Sequence, residues 1–339
     1  LSLLYQTALF SPDRIEALLE QFQLLLEQVV AGPDRAISAY SLLTPEAPPP
    51  DPRPPPSGPP YDSVTALFEA QVQQQPQHPA ISQGGRNWTY RELGQTARAI
   101  AAQLQASGIR PGDTVAVCGD RSFGIIASML GVFLSGGVLL TLDRSLPQQR
   151  LQVMLQEAKA QRLIYVGKMP AADRWLAEFI QILTVDAEKP LTGGHFRASQ
   201  LHPNAPAYIF FTSGTTGTPK GVLGRHKGLS HFLTWQRDTF AVGPADRTGQ
   251  LTGFSFDVVL RDIFLPLVSG ATLCLPDGET NLGAATVLPW LEQERITLLH
   301  TVPSLAQSWL TDRPYGITLR SLQRIFFAGE PLTDRLIRA

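Results

Sequence analysis

Cysteine is scarce in this chain, with two residues, Cys118 and Cys274, in a length of 339. Both fall inside apolar, strand-like runs, TVAVC and ATLCL, which points to buried reduced thiols in a cytoplasmic protein rather than a disulfide framework or a zinc site. Excess charge of either sign is lacking too. The 28 Lys and Arg against 29 Asp and Glu leave a net charge of −1, so no field draws in nucleic acid, and no basic run interleaved with aromatics suggests otherwise. An uninterrupted membrane-length run is also absent, because the apolar stretch 125–142 is broken by Ser128, Gly131, Ser135, Gly136 and Gly137. No basic segment precedes a hydrophobic start, so no signal peptide is expected. What is present is a hydrophobic fraction of 43%, ample for the core of one large or two medium domains.

Residues 48–60, PPPDPRPPPSGPP, hold nine prolines in thirteen positions, a composition that favours extended polyproline structure and reads as a linker. Before it, an apolar strand-like start leads to a helix over Pro12–Ala31, with Ser11 as cap, Pro12 at the first position, and Gly32 and Pro33 at the end. Ile15, Leu18, Leu19, Phe22, Leu25, Leu26 and Val29 give that helix an apolar face that must bury against something. After the linker, helices and short apolar strands alternate. Helices are expected over 89–107 (with a Thr89/Glu92 capping box), 122–134 and 147–159. Strands are expected over 114–118, 138–142, 163–166, 208–211, 272–275, 297–300 and 324–327. Such a series implies layered α/β architecture with mostly parallel sheets, and ligands at the carboxyl ends of strands.

One of those strand ends is distinctive. Residues 208–221 read YIFFTSGTTGTPKG. Residues 207–211 suit a strand buried on both faces, and the loop beyond it carries Gly214, Gly217 and Gly221 among the hydroxyls of Thr212, Ser213, Thr215 and Thr216. Glycines let backbone N–H groups turn in on an anion, the hydroxyls add donors, and Lys220 supplies a mobile positive charge. A Walker A loop is excluded, since Pro219 stands five residues after Gly214 and Lys220 is followed by Gly221, and no G-x-G-x-x-G opens a helix. An ordinary polar loop is the bland alternative.

The segment TSGTTGTPKG resembles the phosphate loop of the adenylate-forming enzymes, which include acyl-CoA synthetases, luciferases and the adenylation domains of nonribosomal peptide synthetases. The last of these also resembles this chain in SVTALFEAQVQQQPQHPAI, WTYREL, GDTVAV, GGVLLTLDRSLPQQRL, FSFDVVLRDIFLPLVSGATL, ITLLHTVPSL and IFFAGEPL. The resemblance implies an αβαβα core with mostly parallel sheets over 62–339, without the small C-terminal subdomain. Residues 47–61 would be the linker, and 1–46 resemble the end of a condensation domain, lacking its HHxxxDG-type motif; an isolated amphipathic helix is the alternative. The family's later elements would lie beyond Ala339, so this stretch alone is expected to be an incomplete catalyst.

The implied reaction joins ATP and a carboxylate into an acyl-adenylate with loss of pyrophosphate, followed by capture on a thiol. Thr212, Thr215 and Lys220 would act at the phosphates, with Ser213, Gly214, Thr216 and Gly217 completing the loop and Gly329, Glu330 and Pro331 lying along the adenine; Glu330 has an equally good structural reading. Magnesium would accompany ATP without a protein metal cluster. Asp257, Val258, Arg261, His300, Phe326 and Ala328 match pocket positions. Asp257 would pair with an α-ammonium, although a helix start explains an acid there equally well.

Arg261 lies four residues on, in a helix apolar nearly all round, where a guanidinium needs an anion. That anion could be Asp257, the adjacent Asp262, or a second carboxylate bound jointly with His300. The last option favours an acidic amino acid such as aspartate, methylaspartate or glutamate. His300 could equally be a satisfied core group, and His226 either a neighbour of the adenylate or a surface residue. Partners would be carrier and condensation domains of one assembly line, the carrier through its phosphopantetheine thiol. A free-standing acyl-CoA synthetase and a catalytically dead docking scaffold are the rival readings.

Overall fold

The computed structural model describes residues 3–7, 9–44, 62–198, 201–212, 219–278 and 282–338. The proline-rich linker and loop residues Ser213, Gly214, Thr215, Thr216 and Gly217 lie outside the described set. The chain divides into two compact units, Leu1–Pro59 and Pro60–Ala339.

In the first unit, α1 (Pro12–Ala31) begins as expected, with the Ser11 hydroxyl accepting from Arg14 N–H and Pro12 in the first turn. Its end is tied down by the Tyr40 hydroxyl, which donates to the Gly32 carbonyl at 2.6 Å, and by Gln28, which exchanges two hydrogen bonds with the Ser41 backbone. The described residues before Phe10 form no strand, contrary to expectation. Of the helix's apolar face Ile15 is buried, while Leu18, Phe22, Leu26 and Val29 are exposed.

The second unit opens with α2 (Val64–Gln74), β1 (Pro79–Gln83), β2 (Arg86–Thr89), α3 (Tyr90–Ala106), β3 (Thr114–Gly119), α4 (Phe123–Ser135), β4 (Val138–Leu142), α5 (Gln148–Glu157), β5 (Arg162–Val166), α6 (Leu176–Phe179) and β6 (Ile182–Val185). It continues through β7 (Pro206–Thr212), β8 (Lys220–Arg225), α7 (His226–Thr239), β9 (Arg247–Gly249), α8 (Val259–Ser269), β10 (Thr272–Leu275), α9 (Ala284–Gln293), β11 (Leu298–Thr301), α10 (Pro303–Thr311), β12 (Arg324–Phe327) and α11 (Asp334–Arg338). One sheet has the order β12-β11-β9-β10-β1-β2 and the other β6-β5-β3-β4-β7-β8. All pairings are parallel except β1 with β2 and β7 with β8.

Strand periodicity explains the layering. Along β3, Val115 and Val117 face the central core while Ala116 and Cys118 face a second apolar cluster with Leu151, Met154 and Leu155 of α5. The other sheet behaves alike: Leu273 and Leu275 point to the centre, and Cys274 packs outward with Val287 and Leu291 of α9. The middle layer therefore needs helices that are apolar on every side. Every residue of α4 is buried, and so is α8 save Arg261. Phe133 of α4 stacks on Phe264 of α8 with centroids 5.1 Å apart. The result is the αβαβα arrangement, and no small C-terminal subdomain stands among the described residues. Both cysteines are free and buried, and burial pushes each thiol up to about 12.

Candidate active site

The phosphate-loop motif begins on β7, and the strand departs from its expected form. Only Ala207 and Phe210 are buried, because β7 pairs with β4 on one side and with the edge strand β8 on the other. Residues 213–218, between the two strands of this antiparallel pair, lie outside the described set. Across the pair, Thr212 is the register partner of Lys220, its hydroxyl 3.5 Å from the Lys220 carbonyl oxygen. Tyr208 is the partner of Gly224. Residues two and four apart on a strand share a face, as do direct cross-strand partners, so Tyr208, Thr212, Lys220 and Gly224 all lie on one face of the hairpin. Four residues of rise separate Tyr208 from Thr212, roughly 13 Å.

Tyr208 is also a wall of a cavity of about 170 Å³, shared with Gly228, Leu229, Phe232, Asp257, Val258, Leu260 and Arg261. Burial, and then the Asp257 carboxylate, raise the pKa of the Tyr208 phenol. The structure thus brings Asp257, Val258 and Arg261 around one space large enough for a single small group and below the size of a drug-scale pocket. Asp257 sits in the turn just before α8, its carbonyl accepting from Leu260 N–H. His300, Phe326 and Ala328 do not line this cavity. His300, 1% exposed, stacks on Phe326 at 5.0 Å.

Arg261 has an anion already. Its Nε and Nη2 donate to Asp262 Oδ1 at 3.2 and 3.1 Å, and the Thr252 hydroxyl donates to Asp262 Oδ2. Of the three partners open to Arg261 from sequence, the adjacent Asp262 is the one engaged. His300 Nδ1 stands 3.4 Å from the same Asp262 oxygen without completing a hydrogen bond, and its Nε2 accepts from the Gln236 amide at 2.9 Å. Burial, then the nearby Arg261 charge, push His300 well below the ordinary histidine range, so it is neutral. Asp262 is wholly buried, and burial raises its carboxyl to about 6 against the opposing pull of Arg261. Tyr208, which walls the cavity, and Asp262, which engages Arg261, have no site role in the sequence reading; Tyr208 is there a strand residue of the motif and Asp262 a charge partner.

The residues expected along the adenine lie between β12 and α11. Glu330 accepts from the N–H and hydroxyl of Ser304, each at 2.8 Å, where α10 otherwise has no side-chain cap. Gly329 before it has φ +84°, a conformation glycine adopts freely, and Pro331 is exposed. An apolar cavity of about 430 Å³ bounded by Leu288, Trp309, Leu322 and Leu336 contains none of the expected residues.

His226 is no surface residue. It is 1% exposed, edge-on to Phe133 at 5.4 Å, with neither ring nitrogen hydrogen-bonded among the described residues, and burial lowers its pKa from 6.5 to about 4. A folded pKa below the unfolded one gives stability that is complete above about 6.5 and is lost as pH falls toward 4. One such group removes about 2 kcal/mol between pH 7 and pH 5. Thermal melts at the two pH values are expected to differ less for His226→Phe than for the unaltered chain. An equal difference contradicts this assignment.

In the layered α/β core, β7 both leads into the glycine- and hydroxyl-rich segment and, through Tyr208, walls the small cavity of Asp257 and Arg261. The chain belongs to the AMP-binding enzyme family, whose model matches residues 68–339. It is similar to tyrocidine synthase 3 of Brevibacillus parabrevis, 31% identical over 345 residues that cover 99% of this chain and 5% of that protein. Gramicidin S synthase 2 of Brevibacillus brevis is 29% identical over 344 residues, 98% of this chain and 8% of its own length. Among solved structures, the nonribosomal peptide synthetase FmoA3 superposes with a TM-score of 0.75 at 25% identity, covering 97% of this chain and 36% of that one. The N-terminal subdomain of Klebsiella oxytoca NpsA, in complex with 3-hydroxybenzoyl-AMSN, gives 0.69 at 25%, covering 81% and 68%. These likenesses bear out the resemblance to a nonribosomal peptide synthetase adenylation domain. The chain spans under a tenth of the length of these curated relatives. Among the described residues no helix is long and apolar enough to cross a membrane.

Proposed function

We propose that this chain is the ATP- and amino-acid-binding core of an adenylation domain that activates an acidic amino acid, with aspartate, methylaspartate or glutamate as candidates. The observation that carries this reading is the shared hairpin face: Thr212 and Lys220 flank the phosphate loop about 13 Å along the strand from Tyr208, the wall of the Asp257–Arg261 cavity. Asp257 holds the α-ammonium and Arg261 meets the side chain. The substrate's α-carboxylate then points along the hairpin toward the loop. A carboxylate oxygen attacks the α-phosphorus of ATP, an O–P bond forms, the bond to the β-phosphate bridge breaks, and pyrophosphate leaves. Positioning and charge neutralisation dominate such a step.

Lys220 suits the leaving pyrophosphate, forming no ion pair with any described residue, and the AMPPNP-bound form of FmoA3 supports an ATP site in this fold. Magnesium would neutralise phosphate charge. An ion held chiefly by phosphate oxygens and water needs few protein ligands. Gly329 and Pro331 would flank the adenine, with Val258, His300, Phe326 and Ala328 shaping the wall behind the side chain. In the second half-reaction a carrier's phosphopantetheine sulfur attacks the acyl carbon and AMP leaves. A solved adenylation–carrier di-domain among the structural relatives supports that partner.

Residues 62–339 are the adenylation core in this reading, 47–61 a linker, and 1–46 the end of a condensation domain of the same assembly line. The buried free thiols suit a reducing cytoplasm. The test is amino-acid-dependent exchange of pyrophosphate into ATP by the full-length protein. Aspartate or glutamate is expected to stimulate it, and exchange with neutral amino acids alone overturns the acidic assignment.

A further inference from the structure

Behind the cavity, the charges can be counted. Asp262 is faced by Arg261 from its own helix, by neutral His300 from β11, and by the Thr252 hydroxyl from the segment before α8. Arg261 is 14% exposed and Asp262 not at all. The pair is therefore neutral as a unit and poorly solvated. On the cavity side, Asp257 is matched by a substrate's α-ammonium. A side-chain carboxylate placed at Arg261 would leave one uncompensated negative charge beside Asp262, where burial makes that costly. A neutral amide or hydroxyl adds no charge. It can take the guanidinium N–H groups left after Asp262 has engaged Nε and one hydrogen of Nη2.

We propose that Asp262 determines the side-chain charge this pocket admits: it holds Arg261 as a neutral pair, so a side-chain carboxylate enters only together with one proton, while a neutral hydrogen-bonding side chain enters without one. This rests on the reading of Asp257 and Arg261 as an amino-acid pocket. The proton goes to Asp262, which burial has already made an easier acceptor than an ordinary carboxylate. Once protonated, Asp262 can donate to the carboxylate's side of the network or keep its bond from Thr252. Arg261 is then released as an uncompensated cation for the incoming anion. Two buried polar atoms that lack hydrogen bonds among the described residues, His300 Nδ1 and Gln236 Oε1, lie in the same network and leave it room to re-pair.

The experiment compares aspartate with asparagine, and glutamate with glutamine, in pyrophosphate exchange by the full-length protein between pH 5.5 and 8. The acid-to-amide ratio of kcat/KM is expected to fall about tenfold per pH unit above about 6, the signature of one coupled proton. In Asp262→Asn the ratio should become flat and rise by about 100-fold at pH 8. A ratio independent of pH in the unaltered protein, or a slope retained in Asp262→Asn, overturns the proposal, and so does exchange with apolar amino acids only. Exchange with no amino acid at all removes the adenylation reading itself, a distinguishable failure. Should Asp262→Asn not fold, calorimetry of the unaltered protein with aspartyl and asparaginyl sulfamoyl-adenosine in buffers of different ionisation enthalpy reads the same quantity. One extra proton taken up with the aspartyl ligand supports the proposal, and equal uptake contradicts it.

Discussion

Asp257→Asn is expected to lower kcat/KM for the amino acid by about 10²- to 10³-fold while leaving the Kd for ATP unchanged. The substitution keeps the shape of the side chain and removes its charge. Asp257 lines a cavity of about 170 Å³ with one cation, Arg261, that is already paired with Asp262. An α-ammonium entering that space therefore has Asp257 as its charge partner, and a buried charge pair broken on one side loses roughly 2 to 5 kcal/mol. A helix-start role alone would move stability by less than about 1 kcal/mol and kinetics hardly at all. Kinetics unchanged in Asp257→Asn would therefore return the residue to that structural role.

The second large effect is expected at Gly224. It faces Tyr208 across the hairpin, and a Cβ there would lie 2.0 Å from the ring's Cζ and 2.2 Å from Cε2. No small adjustment accommodates that, so in Gly224→Ala the phenol must leave its place over the strand. Overpacking of this kind costs about 1 to 3 kcal/mol. Tyr208 also walls the Asp257 cavity, so the KM for the amino acid should rise of the order of tenfold, with ATP binding less affected. Gly228 supplies the contrast. It lines the same cavity, yet a Cβ there meets nothing within 4 Å, and it lies in α7. Gly228→Ala is expected to stabilise the fold by up to about 1 kcal/mol. If the two variants behave alike, Tyr208 is not held by Gly224 as described.

Much of the architecture is legible in local pattern. The Thr89/Glu92 capping box forms as read, with Thr89 accepting from Glu92 N–H and the Glu92 carboxylate returning to Thr89 N–H at 2.7 Å. The all-apolar run of α4 reports a helix buried on every side, and β4 occupies the residues its β-branched and leucine run marks. What escaped local reading depends on distant partners. KGVLGR, to which local pattern assigns no strand, becomes β8 because β7 offers it a ladder and because Gly224 leaves room for Tyr208.

The same holds at the site. Asp257, Val258 and Arg261 sit within one turn and meet at one cavity. His300 comes from β11 and approaches Asp262, a pairing no spacing in the chain encodes. The apolar character of α8 correctly implied that Arg261 needs an anion. Which anion was decided by burial of Asp262, a three-dimensional fact.

The most direct measurement compares, in the full-length protein, pyrophosphate exchange driven by aspartate or glutamate with exchange driven by the corresponding acids lacking the α-amino group, succinate and glutarate. If Asp257 anchors an α-ammonium in an amino-acid adenylation site, the amino acids drive exchange and the des-amino acids fall short by at least about 10²-fold. Equal exchange with succinate or glutarate, or none with any amino acid, would contradict the account.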